Sequence, residues 1–183
     1  MTSILKVSTI QTTAGTAPTA ADLGLNVTGS VLQVKQAVTD ATWSTTSTTL
    51  TDVTGMSVSI TPSATSSKIL VIVDAHIGYD VYAGVFHLLR DTTKIYAGAG
   101  GVSRCGLFSN YYEGSGGTQY TLLPLTANYL DSPATTSSIT YKLQGSSFNS
   151  SHTSYLNRTH ANISETNRDG LTASSITVME IAG

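Results

Sequence analysis

Four histidines, eleven aspartates and glutamates and a single cysteine are the side chains of this sequence that could hold a metal, move a proton or act as a nucleophile. Their spacing decides against most of that chemistry. His76 and His87 fall on different predicted strands, and His152 and His160 stand eight positions apart in a polar stretch, so no H-x-x-x-H or Cys/His pair forms. Polar histidines on wet or interfacial faces are the ordinary reading of all four. A glycosidase requires two carboxylates across a cleft. Asp74, Asp80 and Asp91 flank two adjacent predicted strands, yet Asp80 and Asp91 stand where turns belong. No G-x-S-x-G elbow occurs. Cys105 beside Arg104 is a lone thiol in a glycine-rich stretch, for which an inert, half-buried cysteine is the simpler reading. No catalytic residue, metal or cofactor is expected. The tripeptides at Asn26, Asn149, Asn157 and Asn162 fit the glycosylation pattern by chance, given 54 Ser and Thr and no signal peptide.

The elements that would position any site follow from composition. The chain has 183 residues, 11% charged, with a net charge of −2 and nine Lys plus Arg spread thinly, which excludes a basic nucleic-acid stripe. Ser (24) and Thr (30) supply 54 residues, and such small alcohols favour strands and turns over helices. The longest apolar run, Ile69 to Val73, is far too short for a membrane helix. The chain is long enough to bury a core without disulfide or metal staples.

Residues 1–30 read as an extended N-terminal arm: Ile4 to Ile10 forms a short apolar segment, and Thr12 to Ala20 is a connector of Thr, Ala, Gly and Pro with little to bury. From residue 31 to 183 the hydrophobic period is two. Strands are predicted at Val31–Val38, Thr42–Val53, Ser57–Thr61, Lys68–Ile77, Val81–Arg90, Lys94–Ala97, Gln119–Tyr129, Ser138–Ser147 and Ser174–Ile181. Nine strands without a 3.6-period segment predict an all-β fold, an antiparallel β-sandwich or jelly roll.

Two of these strands are apolar on both faces. Ile69, Val71 and Val73 alternate with Leu70 and Ile72, and Val85 and Leu89 alternate with Phe86 and Leu88. An isolated sandwich normally wets one face of each sheet, so Leu70, Ile72, Phe86 and Leu88 are expected at an intersubunit contact. The alternative is a central strand covered by a loop of the same chain. Two stretches read as long loops: Gly98 to Gly117, with seven glycines, and the largely polar Asn149 to Gly170. Loops of this length are usually functional or disordered. Rings give rigid contact area and Asn or Arg gives directed hydrogen bonds, and from these two loops Arg104, Tyr111, Tyr112, His152, Tyr155, Arg158 and His160 are taken as the candidate receptor-binding residues. Loops spent on subunit contacts are the plain alternative.

The opening Ile4-Leu5-Lys6-Val7-Ser8-Thr9-Ile10-Gln11, its connector, and Gly29-Ser30-Val31-Leu32-Gln33-Val34 resemble the start of small tail-fibre and tail-tip proteins of bacteriophages. Leu50 to Pro62 leading into Ser66 to Val71 is similar to a β-sandwich module of such virion proteins, and Ser175 to Ile181 to their last strand. The resemblance covers about half the chain and carries no catalytic signature. It implies a homotrimer on the exterior of the phage tail. Ile4, Leu5, Val7 and Ile10 would dock the arm onto other tail or baseplate proteins, and the loops would meet a host-surface glycan or protein. Neither nucleic acid nor membrane insertion is implied. A capsid decoration or cement protein would use the same trimer, and a cell-surface polysaccharide hydrolase is the reading of a different class.

Overall fold

A computed structural model describes residues 15–16, 28–82, 84–98, 106, 120–161 and 170–183. The described strands are β1 (Val31–Thr39), β2 (Trp43–Thr45), β3 (Thr51–Ile60), β4 (Lys68–Tyr79), β5 (Phe86–Arg90), β6 (Thr93–Ile95), β7 (Leu123–Asp131), β8 (Ile139–Gly145), β9 (Ser154–Leu156) and β10 (Ser174–Ile181). All pair antiparallel, in two sheets that pack face to face as the predicted sandwich. Sheet A runs β1-β10-β4-β7 across its broad part, with β9 and β2 continuing it beyond the end of β10. Sheet B runs β3-β8-β5-β6.

The period-two pattern does the sorting. Ile69, Val71, Val73, Ala75 and Ile77 of β4 point inward with Ile176 and Val178 of β10, against Met56, Val58, Ile60, Tyr141, Leu143, Phe86 and Leu88 of sheet B. Each such side chain contributes roughly 1.5–3 kcal/mol by leaving water. Two polar devices hold the sandwich where hydrophobic contact alone would let it slide. Asp131 of β7 accepts from Arg90 Nη1 at 2.8 and 3.0 Å and from the Tyr141 hydroxyl at 2.7 Å, tying sheet A to sheet B. Burial first, and then the Asp131 carboxylate beside it, push the Tyr141 phenol well above its ordinary pKa. Glu180 of β10 accepts from Ser63 N and Oγ, Ser67 Oγ and Gln33 Nε2 at 2.6–2.7 Å. Burial raises the pKa of this carboxyl, but those donors outweigh burial and hold it at about 2.

Several boundaries differ from expectation for local reasons. The predicted strand Thr42–Val53 is interrupted after Thr45, because Thr45 Oγ1 accepts from Ser47 N and Ser47 Oγ from Thr49 N, a side-chain alternative to the ladder. Its second half instead joins the predicted Ser57–Thr61 as one strand, β3. Gly55, at φ 84°, supplies the left-handed residue of the irregularity that shifts register between Asp52 and Ser57. The predicted strand Val81–Arg90 shortens to β5. Ser154–Leu156, assigned to a loop, forms β9, a strand too short to show a period.

One correction concerns the expected subunit contact. Phe86 and Leu88 are fully buried in the core of a single chain, and His87 and Leu89 on the other side of β5 are buried as well. Both faces of β5 are therefore covered within one chain, and its double apolarity calls for no second subunit.

Candidate functional site

Side chains that point away from the core on sheet A form a register of rows. Val34 pairs with Met179, Met179 with Leu70, and Leu70 with Leu130, so one row crosses all four strands β1, β10, β4 and β7 and is wholly apolar. The next row, Gln36, Thr177, Ile72 and Asn128, is mixed. Val34 is 52% and Leu130 54% exposed, and with Val31 and Val38 on the same edge strand they make up four of the seven exposed large apolar side chains among the described residues. Leu70 and Ile72, expected at an interface, lie half-buried at the centre of this face. A contiguous apolar stripe on an outer sheet face is the usual mark of an interaction surface.

Sheet B presents the opposite chemistry. Its β3–β8 half turns outward Ser57, Ser59, Thr140, Lys142 and Gln144. Ser59 Oγ and Thr140 Oγ1 are 2.7 Å apart, and Asp52 accepts from Gln144 and Lys142. Gln144 and then Lys142 hold the Asp52 carboxyl below its ordinary pKa.

The two ends of the sandwich also differ. Where β4 starts, the chain arrives from the N-terminal segment: Gly29 N donates to Ala182 O at 2.8 Å and Ala182 N to Ser30 O at 2.8 Å. Where β4 finishes, at Tyr79, the described candidate loop residues His152, Tyr155, Arg158 and His160 gather. Eleven strand steps separate the two ends, roughly 35 Å at about 3.3 Å per residue.

At that far end two clusters form. In the first, Tyr155 of β9 lies under Arg158, whose guanidinium carbon is 4.4 Å from the ring centroid, and the Tyr155 hydroxyl is 2.9 Å from His160 Nδ1. The structure thus brings Tyr155, Arg158 and His160 together, but largely for each other. Arg158 donates Nε to Thr159 O and Nη2 to His160 O, and Tyr155 is 7% exposed. Gly78 of β4 permits this, since a Cβ there would overlap the Arg158 carbonyl. Asn157 fixes the turn beneath, at φ 61°. Its Nδ2 donates to Thr39 O and Ala41 O, its Oδ1 accepts from Ser174 Oγ and its N–H reaches His76 O, so it fills the gap where β4 changes neighbours from β10 to β9. Buried and engaged in this way, Asn157 is no glycosylation acceptor.

In the second cluster His152 Nδ1 lies 2.9 Å from Asp80 Oδ1. Asp80 also accepts from the amides of Val81, Tyr82 and Thr153. Tyr82 and Phe148 stack at 4.4 Å with an interplanar angle of 14°, and His152 meets Tyr82 edge-on at 4.7 Å. Sequence reasoning found His152 but not Asp80, Tyr82 or Phe148 as its companions. The available signal was Phe148 itself, a lone large apolar side chain between Ser146-Ser147 and Asn149-Ser150-Ser151.

Of the other expected residues, Asp91 occupies the β5–β6 turn at φ 53°, its carboxylate accepting from Thr140 N, which is a turn role. His76 Nδ1 is 3.1 Å from Ala173 O. Among the described residues no three His, Cys, Asp or Glu side chains gather in a way that could hold a metal ion. Arg104, Tyr111, Tyr112 and the arm residues Ile4, Leu5, Val7 and Ile10 lie outside the described residues. No protein-family model matches the sequence, and no curated protein is significantly similar to it.

Proposed function

We propose that this chain is a structural protein of a bacteriophage particle, a short tail fibre. It assembles as a homotrimer through the outer face of sheet A, is held to the tail by residues 1–30, and turns the far end of the sandwich towards the host surface. The observation that carries the reading is the row Val34, Met179, Leu70 and Leu130. It is an apolar stripe four strands wide, without the side-chain hydrogen bonds that fill the outer face of sheet B.

Two features support the polarity of the fibre. The chain reaches the sandwich beside Ala182, at the end where β4 starts, whereas the Tyr82, Phe148 and His152 cluster lies where β4 finishes. An arm and a receptor-facing tip at opposite ends are what a fibre requires. The sequence resemblance to small tail-fibre and tail-tip proteins supplies the virion context, and the reading includes no catalytic step.

The test is incorporation. Deleting residues 1–30 is expected to leave a folded sandwich that no longer enters particles, scored by antibody labelling of intact virions. Normal incorporation of the shortened chain would contradict the anchoring role, and hundreds of copies of the full chain on the head would assign it to capsid decoration instead.

A further inference from the structure

Phe148 is 42% exposed, yet it is not loose. Its ring rests parallel on Tyr82, and the loop that carries it is closed by its own hydrogen bonds: Ser147 Oγ donates to His152 O at 2.7 Å, Ser151 N to Asn149 Oδ1 at 2.9 Å, and Ser147 N to Ser47 O. His152 stands beside the stack, 6.2 Å from the Phe148 centroid. A carboxylate only accepts, so the Asp80 contact places the proton of His152 on Nδ1 and leaves Nε2 of the neutral ring as an acceptor. Asn149, Ser150 and Ser151, polar and short, follow Phe148 in the same loop.

We propose that the Tyr82–Phe148 stack with His152 at its edge is a subsite for a pyranose sugar. The apolar C–H face of the sugar lies on the exposed ring of Phe148, and a sugar hydroxyl donates to His152 Nε2. A pyranose matches the site in kind: it has one apolar face the size of a single aromatic ring and a rim of hydroxyls, and the site has one held ring and a polar rim. The stack, the hydrogen-bonded loop and the Asp80 anchor mean that little ordering is required on binding. The inference rests on the far end of the sandwich facing the host, and it gives that end a ligand class.

The experiment is saturation-transfer NMR on the full chain with methyl glycosides of galactose, glucose, mannose and N-acetylglucosamine as probes. At least one is expected to receive saturation on the C–H protons of one ring face. Phe148→Ala should weaken that binding tenfold or more, Phe148→Trp should retain it, and His152→Ala should weaken it severalfold, all with unchanged melting temperature for the Phe148 variants. No saturation of any probe, or equal saturation with Phe148→Ala, would overturn the subsite. Loss of host adsorption in Phe148→Ala without any sugar binding would overturn it too, by assigning the ring to a protein contact. Light scattering on the same samples keeps the two readings apart, since a failed sugar site leaves the assembly mass unchanged.

Discussion

The two outer faces of the sandwich are built from the same alternating pattern, but one of them carries a wholly apolar row across four strands and the β3–β8 half of the other carries none. On sheet B the outward positions of β3 and β8 are Ser, Thr, Lys and Gln that bond one another and Asp52. On sheet A the corresponding positions hold Val34, Met179, Leu70 and Leu130 in one continuous row. A chain with 30% of its residues Ser or Thr has ample alcohol to make both faces wet. On the outer face of sheet A one row is left apolar beside rows that hold Gln36 bonded to Thr177, and Ser175, Asp74 and Thr126, and we propose that further copies of the same chain cover that row.

The largest expected effect removes the sandwich that separates the faces. Asp131→Ala leaves the Arg90 guanidinium and the Tyr141 hydroxyl without their shared acceptor, and should cost on the order of 3 kcal/mol, measured by urea unfolding. Both faces should be lost in one transition. Separate transitions for the two sheets would show that they are not one cooperative unit.

Leu70→Lys acts on one face only. Placing a like charge from every copy at the centre of the stripe should weaken association about a hundredfold, read by sedimentation, while the fold survives because Leu70 is half-buried. Ser57→Lys on sheet B, made as its counterpart, should leave the mass unaltered. Equal effects of the two changes would erase the distinction between the faces.

Acid sharpens the comparison further. Glu180 titrates at about 2 in the folded chain against an ordinary 4.5, so its contribution to stability is complete above pH 4.5 and fades as pH falls towards 2. Its donors Gln33, Ser63 and Ser67 belong to β1 and to the β3–β4 connection. Hydrogen exchange at β1 amides should therefore accelerate between pH 4.5 and 2 ahead of exchange at β8, and Glu180→Gln should flatten the difference. The smallest effect belongs to Ser59→Ala, which removes one exposed hydroxyl pair with Thr140 and should cost no more than about 0.5 kcal/mol of melting stability.

How much of this was legible in the sequence follows from which residues carry a period. Strands β4, β8 and β10 alternate over seven to twelve residues and their core faces read directly. β5 did not, because Phe86, His87, Leu88 and Leu89 are all buried and period two cannot say which face meets the other sheet. Leu70 and Ile72 were readable as an outward apolar pair, but Val34, Met179 and Leu130 join them only through strand register, a long-range property that no local pattern encodes. Tyr155, Arg158 and His160 were found as residue types in a loop. The way they satisfy one another depends on the backbone of Asn157 and Gly78, which composition does not reveal.

The central claim is that the face of sheet A carrying Leu70 is covered by copies of this chain, and its most direct test is the mass of the purified protein. Light scattering at micromolar concentration should give three times the 19.1 kDa of one chain for the native protein, falling to a single chain in Leu70→Lys. A native protein that stays at the mass of one chain would contradict the account.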